Sequence, residues 1–525
     1  MVKKVPAAAF DAAAVGYKEK GMRKGSITVF LSLMLSVMLT VVFMSVSVVK
    51  VSAGRMQLAN AADQSLWSLF ARYDRDLLED YDLFFIDGGF GSSELRLGEA
   101  LTRLEEAADY IIDPEKALLT GGKDLLSLTD LKASLTGYRL ASDSSYGVYV
   151  SQVLTYMKET EAAQGIQLIK EHYAGLNASE TETESSRAEE AESSLPSGGY
   201  QELQDMASAA KDGQESRSEE SKEEASLLDP QTYADASEGA AAIGHIESLR
   251  KTSILNFVLQ EPTKVSGNTL DTTSLPSART SQTGMGLISL SETLGSTEND
   301  LLFNEYIVTH FGSALDPETG SGLHYPLEEI IAWKNSDIEN LEAIAKRLLL
   351  IREGINLVHL YANGELRAQA SACAAALSCL VLMPELEEPL ELLILVGWAY
   401  CESLLDVRNL FAGDYVPLVK GADSWQLSSL TDIGKMLTDK DSVRKGASTG
   451  LDYADYMRIF LMLMSNDDKV SRSADMIEHE VRSSGRDNFR FDNCLDSLTA
   501  ELSLKSEGLV TLTTEKTFSY DTEEE

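Results

Sequence analysis

Residues 23–70 read RKGSITVFLSLMLSVMLTVVFMSVSVVKVSAGRMQLANAADQSLWSLF, and the uncharged run Ser26–Val49 within them decides the architecture. A hydrocarbon core of roughly 30 Å is crossed by about 20 apolar residues in helical form. These 24 residues therefore predict one transmembrane helix with some tilt. Lys18, Lys20, Arg23 and Lys24 precede the run, while only Lys50 and Arg55 follow it closely. Positive flanks stay inside, so residues 1–25 read as a cytoplasmic basic tail and the rest as extracytoplasmic. A cleaved secretory signal is the competing reading, with Val51-Ser52-Ala53 as a small-residue site ending at Ala53, but the run is long for a signal core. Met22 also reads as a start, because MRKGSITVF is a compact n-region. Thr28, Ser32, Ser36 and Thr40 form a stripe at four-residue steps, which fits either helix packing in lipid or hydroxyls bonding their own backbone.

Outward from the span, apolar residues at Met56, Ala59, Ala62, Leu66, Leu69, Tyr73 and Leu77 predict that the helix continues as a stalk to about Glu79. YDLFFIDGG then predicts a short strand over Leu83–Ile86, and residues 95–175 read as mainly helical, giving a membrane-proximal region at 50–175. Residues 176–240 read as an acidic Ser/Glu-rich linker. Between Glu180 and Pro230 there are fifteen acidic and four basic residues and few aliphatic ones, too few to offset the entropy of ordering. Residues 241–525 read as an α-rich α+β ectodomain. Within it, residues 301–312 predict a helix, 323–333 a strand or mixed element, and 336–361 an amphipathic helix. The apolar runs Ala372–Met383 and Leu392–Cys401 are too short to span, so they predict a buried helical hairpin broken at Pro384 and Pro389. Alternation after Asn488, with Ser506–Gly508 as a turn, predicts a C-terminal β-hairpin. The fold class expected is α+β, mainly α.

The 525 residues carry 45 Lys+Arg against 83 Asp+Glu, a net charge of -38. Such a field repels phosphate backbones, so nucleic acid is not expected as a partner. Cys373, Cys379, Cys401 and Cys494 are too few for a disulfide scaffold and lack ligand spacing, so they read as small core hydrophobes. His172, His245, His310, His324, His359 and His479 show no HExxH or comparable spacing. The acidic group Asp74, Asp76, Glu79, Asp80, Asp82 and Asp87 has hard oxygen donors suited to Ca²⁺ but not the loop spacing of an EF-hand. A solvated helix end accounts for it equally well. No catalytic, cofactor-binding or metal-binding residue is nominated, and no cofactor is expected.

Residues 23–66, with RKGSITVFLSLML followed by GRMQLANAADQSL, resemble the TadE/TadG-like minor pilins of tight-adherence (Flp-type) pilus systems. Further stretches resemble an uncharacterised Gram-positive family of single-span envelope proteins related to that group. These are FARYDRDLLEDYDLFFID (70–87), LLFNEYIVTHFG (301–312), RLLLIREGINLVHLY (347–361), WAYCESLLDVRNLFAGDYVPLVK (398–420) and DYADYMRIFLML (452–463). The resemblance implies a non-enzymatic, single-pass protein of the cell membrane, accessory to a Tad-like pilus or secretion assembly and partnered by other components of it. Prepilin peptidase would cut after Gly25. The fifth mature position, where type IV pilins usually carry Glu, is then Phe30, which argues against a major-pilin role. The other reading is a single-span extracytoplasmic sensor or ligand-binding protein, and an extracellular hydrolase is a third.

Overall fold

The computed structural model describes residues 25–113, 126–160, 163–178, 230–286, 290–319, 322–380, 383–421, 423–506 and 510–520. These are mainly helical, with one small antiparallel sheet and one long apolar helix near the N-terminus. The strands are β1 (Ile86–Asp87), β2 (Leu128–Leu140), β3 (Cys494–Ser506) and β4 (Val510–Ser519), and β3 pairs with each of the other three. Ile86 stands opposite Leu495. The Ala141 amide donates to Cys494 O and Thr136 Oγ1 donates to Thr499 O, so β2 runs antiparallel to β3. The β3–β4 pair lies where alternation predicted a hairpin, although the expected turn falls largely at 507–509, outside the described residues. Strand β2 is a correction to the helical reading of 95–175, since Leu131, Ala133 and Leu135 alternate at the strand period.

The chain divides into two compact units. The first comprises Met1–Ser65, Leu104–Ser134 and Ala500–Lys516. Helix α1 (Gly25–Phe70) supplies its longest element. Every large apolar side chain from Ile27 to Val49 is exposed. Burial begins at Gly54, then recurs at Leu58, Ala61, Ala62 and Ser65, the three-and-four spacing of one helix face. Met56, expected on that face, is 65% exposed. Gly54 packs beneath Leu128 and Leu512, Gln57 donates to Ile112 O at 3.2 Å, and Asp63 pairs with Lys516 at 3.0 Å. Along the apolar run, Ser32, Thr40 and Ser45 donate to Val29 O, Ser36 O and Val41 O, so these hydroxyls bond their own helix.

The second unit comprises Leu66–Arg103, Leu135–Thr499 and Thr517–Glu525. Helix α1 stops at Phe70 rather than near Glu79. The break has a local cause: Asp74 donates its amide to Phe85 O at 2.7 Å, while its side chain caps α2 (Arg75–Tyr81) by accepting from Leu77 N. Leu83–Phe85, expected as strand, is loop instead, with Leu83 and Phe85 buried and Phe84 exposed, because Leu83 N bonds Leu77 O and Phe84 N bonds the Gln152 side chain. Helix α3 (Leu97–Ile112) begins in this unit, and α4 (Asp143–Thr160) opens through a left-handed turn at Ser144–Tyr146. Asp143 anchors that turn, accepting from Leu140 N and Gly284 N at 2.7 Å each.

After α5 (Ala163–Ala178) the acidic stretch 179–229 lies outside the described residues, and helix resumes at Pro230, eleven residues before the expected boundary, as α6 (Pro230–Arg250). The remaining helices are α7 (Ile254–Val258), α8 (Thr297–His310), α9 (Pro326–Ala332), α10 (Asp337–Ala362), α11 (Gly364–Leu380), α12 (Glu387–Leu410), α13 (Thr431–Thr438), α14 (Tyr453–Leu463) and α15 (Asn466–Ser483). Within 323–333, expected as a strand or mixed element, Pro326–Ala332 is helix and no strand forms: Pro326 sits at the first position of α9, where a missing N–H costs nothing. Ser296, Ser336, Asp452 and Ser465 cap α8, α10, α14 and α15. The predicted apolar hairpin is α11 and α12. Pro384 breaks it, but Pro389 falls inside the first turn of α12, where it is tolerated. Cys373 and Cys401 are buried in this hairpin, whereas Cys379 is exposed, contrary to the core reading.

Helix α12 is buried at every residue from Leu393 to Leu410 and packs against α6, α10 and α11. Gly397 lets α6 approach, because any Cβ there would overlap Ile246. Gly397→Leu is expected to lower unfolding stability by roughly 1–3 kcal/mol through overpacking, read as a fall in thermal midpoint of the full chain in detergent. Gly364→Ala, where a Cβ meets open space, should leave the midpoint unchanged.

Candidate functional site

A helix hidden on all sides must satisfy its polar groups internally. Helix α12 carries Glu402, Asp406 and Asn409 at four- and three-residue steps, hence on one face. Opposite them, α10 presents Arg352 and Asn356, one turn apart. Arg352 Nε donates to Asp406 Oδ2 at 3.0 Å, and Asn356 Nδ2 donates to the same oxygen at 2.9 Å and to Ser403 Oγ at 2.8 Å. Lys420 donates to Asp406 Oδ1 at 2.6 Å and also to Glu402 Oε1. Glu402 further accepts from Gln426 N and Leu427 N, both at 2.9 Å. Two cations and two anions thus close a neutral group with side chains at most 1% exposed. Burial alone would raise the Asp406 carboxyl, but Lys420 and Arg352 outweigh it and hold it below the usual carboxylate range. Only Arg352 Nη2 in this group is a buried donor with no acceptor.

A second buried group has acids without cations. Glu328 Oε1 accepts from Tyr453 OH at 2.6 Å and Ala314 N at 2.8 Å, Glu329 accepts from Asn340, and Asp337 accepts from His324 N at 3.2 Å. Glu480 accepts from Leu323 N at 2.9 Å. Glu328 Oε2, Glu329 Oε1 and Asp337 Oδ1 are buried with no partner. Arg472 is a cation that influences the group, and among the described residues it forms no ion pair with these acids. Burial pushes Glu328 up to about 7, Glu329 to about 8 and Glu480 to about 7, and raises Asp337. Among the described residues, no three His, Cys, Asp or Glu side chains are placed to hold one metal ion. Burial without a paired cation thus favours the protonated form of these acids.

The acidic group noted in the sequence is differently arranged. Arg486 binds Asp74 and Asp76 at 2.8 Å and approaches Asp87, a guanidinium occupying the place where a cation would be sought. Asp82 pairs with His310 at 3.1 Å. The histidines stay apart: His172 pairs with Asp455 at 2.8 Å, His359 stacks on Trp425, and His245 lies against Gly434. His324 meets Tyr325 edge-on, and His479 is pushed down to about 4 by burial and then Arg482.

A cavity of about 590 Å³ opens between α5, α8 and the α14–α15 junction. Tyr173, Leu301, Met462 and Met464 form its apolar wall, and Lys170, Glu298, Asp300, Asn304, Asn466 and Lys469 supply its polar groups. Its size is that of a small-molecule site. No sequence signal marked it, because its residues come from four separate elements without motif spacing.

What the fold and these groups define is a mainly helical protein with a charge-stitched core and one exposed apolar helix. A model of a family of unknown function, DUF5702, matches residues 233–506, just over half of the chain, and the chain belongs to that family. No curated protein and no solved structure matches it. The matched region runs from the start of α6 to the end of β3 and contains both buried groups.

The unpaired acids fix a pH dependence. Their folded-state affinities for protons exceed the unfolded ones, so the stability they lend is complete below the ordinary carboxylate range and is lost as pH rises through about 7–8. Glu329→Gln should therefore raise the thermal midpoint at pH 9, by the equivalent of about 1 kcal/mol or more, and leave it nearly unchanged at pH 4, as calorimetry would show. Arg352→Met strands Asp406 opposite Lys420 alone and should cost roughly 3–5 kcal/mol at neutral pH, measured by denaturant unfolding.

Proposed function

We propose that the chain is a non-enzymatic, single-pass protein of the cell membrane, its N-terminus cytoplasmic and its bulk extracytoplasmic. In this reading it is an accessory, pseudopilin-like component of a Tad/Flp-type pilus or secretion assembly. The observation that carries the proposal is the exposure of every large apolar side chain from Ile27 to Val49, followed by burial of one helix face from Gly54. Apolar surface of that length has hydrocarbon as its favourable solvent. Support for the pilus context comes from the RKGSITVF lead-in and the NAAD helix, and Phe30 favours an accessory role over a major subunit. A ligand-binding sensor is the second reading, favoured by the cavity beside Tyr173.

Topology and partnership can be tested separately. In a Cys379→Ser background, Leu463→Cys on intact cells should react with a membrane-impermeant maleimide, since Leu463 is 76% exposed. Ala8→Cys should react only after permeabilisation; the reverse pattern would contradict the topology. Crosslinking pulldown from membranes is expected to recover a secretion ATPase or platform protein, and recovery of neither would sink the pilus reading.

A further inference from the structure

A buried ammonium with no direct ion pair among the described residues borders the 590 Å³ cavity. Lys469 lies in the first turns of α15 and is 2% exposed. Its ammonium donates to Asn304 Oδ1 at 2.9 Å, a neutral acceptor, and among the described residues it has no ion-pair partner. Lys469 and Asp300 bond only neutral partners here, whereas the remaining two cavity charges engage each other. Lys170 pairs with Glu298. Asp300 Oδ1 accepts from Gly295 N at 2.9 Å and Asn466 Nδ2 at 3.0 Å. An ammonium has three donors, and burying it without an anion is costly. Its position near the positive end of α15 adds to that cost. Burial lowers the proton affinity of Lys469, and Asp300 opposes this from outside ion-pair distance.

Beside this ammonium the wall is apolar: Met462 and Met464 come from the end of α14 and the turn after it, Leu301 from α8 and Tyr173 from α5. Methionines adapt to varied apolar shapes. A carboxylate set against Lys469 would supply a direct counter-charge, closer than Asp300, and a short hydrocarbon tail would cover the methionines.

We propose that this cavity is a binding site for a small organic acid, its carboxylate held by Lys469 and its apolar tail packed on Met462 and Met464. The site is independent of the pilus reading and lies wholly within the second unit.

The full-length chain in nanodiscs can be titrated with hexanoate, hexylamine and 1-hexanol, following the thermal midpoint and, for binding, the carboxyl signal of ¹³C-labelled hexanoate. Hexanoate should give saturable stabilisation, and the amine and alcohol none of comparable size. Lys469→Gln, folded as judged by circular dichroism, should weaken hexanoate binding by about tenfold or more, the loss of a charge-assisted hydrogen bond. Met464→Trp keeps the lysine but fills the cavity, and should also abolish saturation. Equal responses to hexanoate and hexanol, or unchanged hexanoate binding in either folded variant, would overturn the proposal. Should Lys469→Gln not fold, Met464→Trp decides between the two outcomes.

Discussion

The second unit is organised around the burial of two carboxylates on one helix. Glu402 and Asp406 lie on α12, which has no solvated face over Leu393–Leu410. Their charges can stay buried only if cations and amide donors are delivered to them. Arg352 and Asn356 bring α10 into register; Lys420 and the Gln426 and Leu427 amides bring in the segment after α12. Asn409 extends the network to Gln426, and Trp398 and Trp425 both donate to Leu427 O. A hydrophobic core of α6, α10, α11 and α12 could slide by a turn at small cost. One that must also close this network cannot, which is how the charges specify a single packing.

The acids near α9 follow the opposite rule. Glu328, Glu329 and Asp337 are as deeply buried as Asp406, yet among the described residues no cation pairs with them and each leaves one oxygen unbonded. Asp406 is therefore held ionised and Glu329 is held protonated at neutral pH, within the same unit. The difference arises from neighbours rather than depth: guanidinium and ammonium in one case, tyrosine, asparagine and backbone amides in the other. It gives the fold an unusual lean toward acidic conditions from this group, opposite to the more common dependence on ionised carboxylates.

Much of the helical architecture was readable from periodicity. The uncharged run, the helix at 336–361, the apolar hairpin and the C-terminal strand pair all carry strong local patterns. What escaped depended on long-range pairing. Strand β2 reads as weak helix until β3, more than 350 residues later, supplies its partner. The end of α1 is set by Asp74, whose role as a cap is fixed by Phe85 and by Arg486, neither predictable from spacing. Arg352, Asp406 and Lys420 did fall within the stretches that carried the family resemblance, but nothing local showed that they meet. The lysine-lined cavity had no sequence signature at all.

Native-state hydrogen exchange of the full chain tests the central claim most directly. If buried charge pairing locks α12 into the core, its amides from Leu393 to Leu410 should exchange only through global unfolding, with opening free energies equal to the highest in the unit. They should fall together with global stability when Asp406 is replaced by Asn. Exchange of the α12 amides by local opening, at free energies no higher than those of exposed helix surfaces such as α5, would contradict the account.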